Sequence, residues 1–166
     1  MTSGIADYST TDAFGELFGP DPGVAVTEQQ LVDFAVPYSP RFNPGAAYEY
    51  SNTNYALLGL IAEKVGGRPL NQQLQDRLFG PVGLEQTSLP AAADISIPTP
   101  YSHGYMYGGS YYALADDPYP ADMQAAAKAG TLRPIDYTNQ NSSYANAAGG
   151  AISTADDLVM WMKALV

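Results

Sequence analysis

In the segment RFNPGAAYEYSNTNYALLGLIAEKVGGRPL, residues 41–70, a phenol and a carboxamide stand two residues apart at Tyr50 and Asn52. A tyrosine hydroxyl relays a proton when a neighbouring cation lowers its pKa from about 10. An amide side chain both donates and accepts, so Asn52 can orient a substrate peptide bond. The triplet also has a plainer reading, in which Asn52 caps a helix and Tyr50 packs with its hydroxyl at the surface. Other chemistry-bearing residues are scarce. There is no cysteine, which excludes disulfides, thiol nucleophiles and cysteine-ligated metals, and the single histidine, His103, excludes a multi-histidine metal cage. Within Pro-Tyr-Ser-His-Gly, His103 reads as a hydrogen-bonded loop residue. The pairs Asp116-Asp117 and Asp156-Asp157 supply too few oxygens for a calcium site, and the second pair suits the start of a helix. No metal and no cofactor are expected.

Elements must hold these residues in place. Residues 1–25 are rich in Gly, Pro, Asp, Ser and Thr around a short apolar patch, which predicts loops with at most a short helix. Thr27 and Gln30 have the spacing of a capping box, which predicts a helix over 28–35. Pro37, Pro40, Pro44 and Gly45 then make 36–49 a connecting loop. From Asn52 onward, Leu58, Ile61, Ala62 and Val65 recur at the spacing of an apolar helical face, and Gly66-Gly67 supplies a stop. Leu70, Leu74 and Leu78 repeat every four residues behind Pro69, with Gly80-Pro81 expected to close that second helix. Helices are also predicted near 121–128 and over 155–165, the latter capped by Ser153 or Thr154. The stretch 86–152 is otherwise aperiodic and rich in proline and tyrosine, unusually long for an irregular segment. Tyr101, Tyr105, Tyr107, Tyr111, Tyr112 and Tyr119 fall there and suit either a contact surface or the packing of glycine-rich loops.

The chain has 166 residues, 46% hydrophobic and only 14% charged, against a usual charged share of roughly 25%. Seventeen acidic and seven basic residues give a net charge of −10, which repels phosphate backbones, so nucleic acid is not an expected partner. No apolar run approaches the roughly 20 residues needed to span a bilayer. Met1-Thr2-Ser3-Gly4 does not read as a signal peptide. No fixed-period repeat is present.

The run Pro44-Gly45, Tyr50-Ser51-Asn52, Tyr55, Leu58-Gly59, Ile61, Gly66, Pro69-Leu70, Pro81, Gly83-Leu84 and Thr87-Ser88 resembles the serine beta-lactamase and penicillin-binding family, on its class C and D-alanyl-D-alanine carboxypeptidase side. Thr2-Ser3-Gly4-Ile5 with Asp7-Tyr8 looks like the family's H-T-S-G-I segment, with Met1 in the histidine's place. Ala148-Gly149-Gly150 and Ser153-Thr154-Ala155-Asp156-Asp157-Leu158 look like its late A-G-G-x-x-S-T-A-x-D-L segment. The resemblance implies an acyl-enzyme mechanism in which the serine of S-x-x-K attacks a carbonyl while that lysine and the tyrosine of Y-x-N manage its proton. By that analogy Tyr50 is the catalytic tyrosine, Asn52 the substrate-binding amide, and Ser51 the variable middle residue rather than the nucleophile.

The departures matter as much. Lys64, Lys128 and Lys163 are preceded at the required spacing by Ile61, Ala125 and Met160, so S-x-x-K is absent. The third motif, K-T-G or H-x-G, is missing too, since His103-Gly104-Tyr105 lies too early. The expected fold is therefore mainly α with long irregular loops: residues 1–166 as one helical lid subdomain of a beta-lactamase-like α/β serine hydrolase, without the flanking α/β halves. Such a chain is expected to be inactive alone, monomeric or weakly self-associating, and drawn from a bacterial envelope, periplasmic or secreted protein that hydrolyses a small-molecule or peptide substrate. D-Ala-D-Ala peptides, beta-lactams and esters all fit. The absence of a lysine partner predicts an ordinary phenol pKa for Tyr50. Two alternatives stand beside this: a non-catalytic module whose tyrosine-rich loops hold a peptide, glycan or lipid, and a complete small hydrolase with an unfamiliar nucleophile.

Overall fold

Caps and left-handed glycines set the element boundaries in the computed structural model, which describes residues 1–18, 23–108 and 118–166. Asp7 caps a 3-10 turn at Tyr8–Thr10, followed by α1 at Asp12–Phe18. The capping box forms as its spacing predicts: Thr27 Oγ1 accepts from the Gln30 N–H at 3.2 Å and Gln30 Oε1 from the Thr27 N–H at 2.8 Å, opening α2 at Glu28–Ala35. Helix α3 spans Asn52–Gly66 and ends where Gly67 turns left-handed at φ 68°.

Next comes α4, Leu70–Leu74, which runs into a π-helical turn at Gln75–Phe79 and then α5 at Gly80–Val82. Gly80-Pro81 thus does not end the segment. The stop falls at Gly83, which is left-handed at φ 79°. The wide turn shifts the backbone bonding ahead of Pro81, a residue without an N–H, and so lets the chain stay helical through it.

The long irregular stretch carries little regular structure. Strands β1 (Tyr105–Met106) and β2 (Ile135–Asp136) pair antiparallel, Tyr105 opposite Asp136, with α6 (Ala121–Lys128) between them in sequence. A 3-10 turn at Ser142–Tyr144 and a short α7 at Asn146–Gly149 lead to the terminal α8, Ala155–Ala164. The fold class is mainly α, as expected. Tyr111, Tyr112, Asp116 and Asp117 lie outside the described residues.

The core gathers Tyr8, Phe14, Val26, Leu31, Ala35 and Ala56, with Leu17, Val32, Phe34 and Tyr144 packed around it. Phe14 sits at its centre, its ring 5.4 Å from Tyr8, 6.0 Å from Phe34 and 6.3 Å from Tyr144. The buried face of α3 corrects the sequence reading. Leu58, Ile61 and Val65 are 57%, 55% and 83% exposed, whereas Thr53, Ala56 and Gly59 are buried. Small side chains let α3 approach α2 and α7 closely, and a Cβ on Gly59 would stand 2.9 Å from that of Ala147.

The C-terminal helix is tied back by polar contacts. Ser88 and Ile152 exchange backbone bonds of 3.0 and 2.8 Å. Thr154, not Ser153, supplies the cap of α8, accepting from the Asp157 N–H at 3.3 Å. Asp157 does more than complement a helix dipole. It is buried, and its Oδ2 accepts from the Gln86 N–H at 2.8 Å and the Thr87 hydroxyl at 2.7 Å.

Candidate active site

The loop 36–49 brings the chain start alongside the start of α3. Arg41 N–H donates to Gly4 O at 2.7 Å, Gly45 N–H to Thr2 O at 2.7 Å, and Glu49 N–H to Met1 O at 3.0 Å. Gly4 makes this approach possible: its φ is +76°, and a Cβ there would lie 2.1 Å from Phe42 O. The following residues then anchor to α3. Ala6 O accepts from both the Ser51 hydroxyl, at 3.2 Å, and the Thr53 hydroxyl, at 2.7 Å, while Tyr8 N–H donates to Thr53 Oγ1 at 2.9 Å.

This anchoring sets Asp7 beside Asn52. Asn52 Nδ2 donates to Asp7 Oδ2 at 3.0 Å, to Asp7 Oδ1 at 3.3 Å and to Ser9 Oγ at 3.2 Å, while its Oδ1 accepts from the Tyr50 hydroxyl at 3.0 Å. The structure thus brings the two sequence-predicted residues together and adds Asp7 and Ser9, which carried no role in the sequence reading. Of the two, Asp7 had a signal in the sequence: it belongs to the Thr2-to-Tyr8 segment that resembles a family motif. Asn52 does not cap α3, because the cap position is Ser51 and Asn52 is the first helical residue. Ser51 is 2% exposed with its hydroxyl committed to Ala6 O, an arrangement closed to nucleophilic attack.

Tyr50 is 49% exposed and its ring lies 6.2 Å from that of Tyr55. Its phenol pKa is not ordinary but raised, first by partial burial and then by Tyr55, Asp7 and Tyr48. Among the described residues, the groups that raise it are neutral or acidic, and none of them favours the phenolate. Tyr55 also joins the site to an open apolar groove of about 370 Å³ lined by Leu58, Gly59, Leu74, Leu89 and Ala147.

His103 stands apart from this group, in the loop role its sequence context predicts. Its Nδ1 lies 3.1 Å from Asp136 Oδ2 and 3.0 Å from Thr138 Oγ1, and its ring stacks on Tyr105 at 6.2 Å. Bonds from Thr138, with His103 adding less, hold the Asp136 carboxyl below its usual range. Among the described residues, no group of three or more His, Cys, Asp or Glu side chains could hold a metal ion, and no helix is long and apolar enough to cross a membrane.

The family model described as Beta-lactamase matches residues 1–166. A D-stereospecific amidohydrolase from Streptomyces sp. superposes with a TM-score of 0.81 at 32% identity, over 99% of this chain and 44% of its own. The D-amino acid amidase from Ochrobactrum anthropi SV3, complexed with D-phenylalanine, gives a TM-score of 0.69 at 28% identity, over 99% and 41%. Penicillin-binding protein 4* of Bacillus subtilis (strain 168) is 30% identical over 127 residues, 70% of this chain and 26% of that protein. In each case the match spans less than half of the relative's length.

Proposed function

This chain belongs to the beta-lactamase family, and from that premise we propose that its 166 residues form the mainly helical lid of a longer bacterial serine hydrolase. The observation that carries this reading is the Tyr50–Asn52 hydrogen bond at the mouth of α3, in a chain without S-x-x-K. The nucleophilic serine, its lysine and the third motif are then contributed by other parts of the enzyme. In the assembled cleft the serine attacks an amide or ester carbonyl. Tyr50 passes a proton between that serine and the leaving group, and the Asn52 amide orients the substrate. The lysine supplies the cation that Tyr50 lacks here.

Similarity to a D-stereospecific amidohydrolase and to a D-amino acid amidase supports amides of D-amino acids as the substrate class, ahead of beta-lactams and esters. Kinship with a penicillin-binding protein supports a place in the cell envelope or outside the cell. On this reading the chain alone is monomeric or weakly self-associating and does not turn over substrate.

Intact mass after incubation with a fluorescent penicillin and, separately, a fluorophosphonate tests the reading. A folded sample gives no adduct with either reagent. A stoichiometric adduct on one serine would place the nucleophile within these residues and overturn it.

A further inference from the structure

Asp7 is a positioning residue: we infer that its carboxylate fixes which way the Asn52 amide faces, and thereby makes the Tyr50 hydroxyl the donor in their shared hydrogen bond. The inference rests on the functional reading of Tyr50 and Asn52 and assigns a role to a residue outside that pair.

The argument is one of donor and acceptor polarity. A carboxylate only accepts, and an amide has one accepting and one donating end. Both Asp7 oxygens lie within 3.3 Å of Asn52 Nδ2, so the NH₂ end must face Asp7. The carbonyl end is then left for Tyr50, 3.0 Å away, and a carbonyl can only accept. The phenol proton is thereby parked on Asn52 Oδ1. A phenolate would set two acceptors against each other beside a carboxylate, so Tyr50 rests in its proton-donating form, in line with its raised pKa. Ser9 reinforces the arrangement: its hydroxyl donates to Asp7 Oδ1 at 3.0 Å and its oxygen accepts from Asn52 Nδ2 at 3.2 Å.

Asp7 also caps the first 3-10 turn, accepting from the Ser9 N–H through Oδ1 at 3.0 Å. This makes Asp7→Asn a discriminating variant. Asparagine is isosteric and an equally good cap. With its oxygen retained at the cap, its NH₂ replaces the oxygen that faced Asn52 Nδ2, setting donor against donor. Asn52 is expected to turn over to relieve this clash at its shortest contact, and its NH₂ then points at Tyr50, where it stabilises the phenolate.

Two measurements on the chain in solution decide the matter. In the unaltered protein, nuclear Overhauser contacts from the Asn52 side-chain NH₂ reach Ser9 but not the Tyr50 ring; in D7N they move to the Tyr50 ring, and the Tyr50 Cζ resonance titrates at lower pH. Ser9→Ala, which keeps the carboxylate, leaves the amide facing Asp7. If D7N keeps the original contacts, the inference fails, whether or not the phenol titration moves, because loss of charge alone would account for such a shift. An unfolded D7N is recognised from its backbone amide spectrum, and Asp7→Ala, which removes the carboxylate without adding a donor, then serves in its place, with free reorientation of the Asn52 NH₂ expected and unchanged contacts fatal. None of these outcomes depends on catalysis. The catalytic reading fails separately, if the longer enzyme keeps its turnover after Tyr50→Phe.

Discussion

At the level of single residues, the proposed function separates groups that would do chemistry from groups that would hold them. The Tyr50 hydroxyl meets Asn52, and its ring is half exposed, so removing the oxygen costs the fold little. On the proposed function, Tyr50→Phe in the longer enzyme is expected to slow acylation by about 100-fold or more, the usual scale of a lost proton relay, while the melting temperature stays within error. Single-turnover kinetics with a chromogenic D-amino acid amide checks both halves of that statement. Gly4 belongs to the opposite class, a backbone position without room for a methyl group. Its positive φ and the 2.1 Å approach of a Cβ to Phe42 O predict that Gly4→Ala costs about 2 kcal/mol or more in urea unfolding, since the neighbour is backbone.

At the level of elements, two buried acids join pieces distant in sequence, and they behave differently. Glu28 opens α2 yet is buried, with Oε1 accepting from the Ala147 N–H of α7 at 3.2 Å and Oε2 without a hydrogen-bond partner among the described residues. Burial raises its pKa to about 7, the Ala147 bond opposing and Glu63 of α3 adding to the rise. The folded state therefore holds this proton more tightly than the unfolded chain does. Its contribution to stability is complete below the ordinary glutamate range and is lost as pH climbs toward about 7. Thermal melts at pH 5 and pH 8 are expected to show the loss, and Glu28→Gln, which cannot ionise, to stabilise at pH 8 with little change at pH 5. Asp157, by contrast, has donors for its carboxylate. Asp157→Ala removes the shared acceptor of Gln86 N–H and the Thr87 hydroxyl and should destabilise on the order of 3 kcal/mol, measured by denaturant titration.

Over the whole molecule, charge and exposed apolar surface act against each other. Leu58, Ile61 and Val65 on α3, and Leu158, Val159 and Met162 on α8, are each more than half exposed. In a lid, such faces would lie against the remainder of the enzyme. A net charge of −10 opposes the approach of two copies at low ionic strength, and salt weakens that repulsion without weakening apolar attraction. Sedimentation should find a monomer in dilute buffer and weak association at molar salt. Leu58→Glu together with Leu158→Glu should abolish that association and leave the melting temperature unchanged. A tight dimer at low salt would contradict the monomeric reading.

The sequence alone determined what depends on near neighbours. Thr27 and Gln30 are three residues apart and need only each other to close a capping box, and Gly67 ends α3 through its own backbone freedom. Tyr50 and Asn52 were visible as a pair because a single residue, Ser51, separates them. Tertiary structure decided whatever depends on residues far apart in the chain. The period of α3 marked Leu58, Ile61 and Val65 as its buried face, but packing against α2 and α7 selected the small residues Thr53, Ala56 and Gly59, because closeness of backbones outweighed apolar area there. Asp7 lies 45 residues from Asn52, and only the loop that lays the chain start along residues 41–49 brings them within hydrogen-bonding distance. An amide's two ends look alike in a sequence. Their orientation is set by which partner can only accept, and that partner is chosen by the fold.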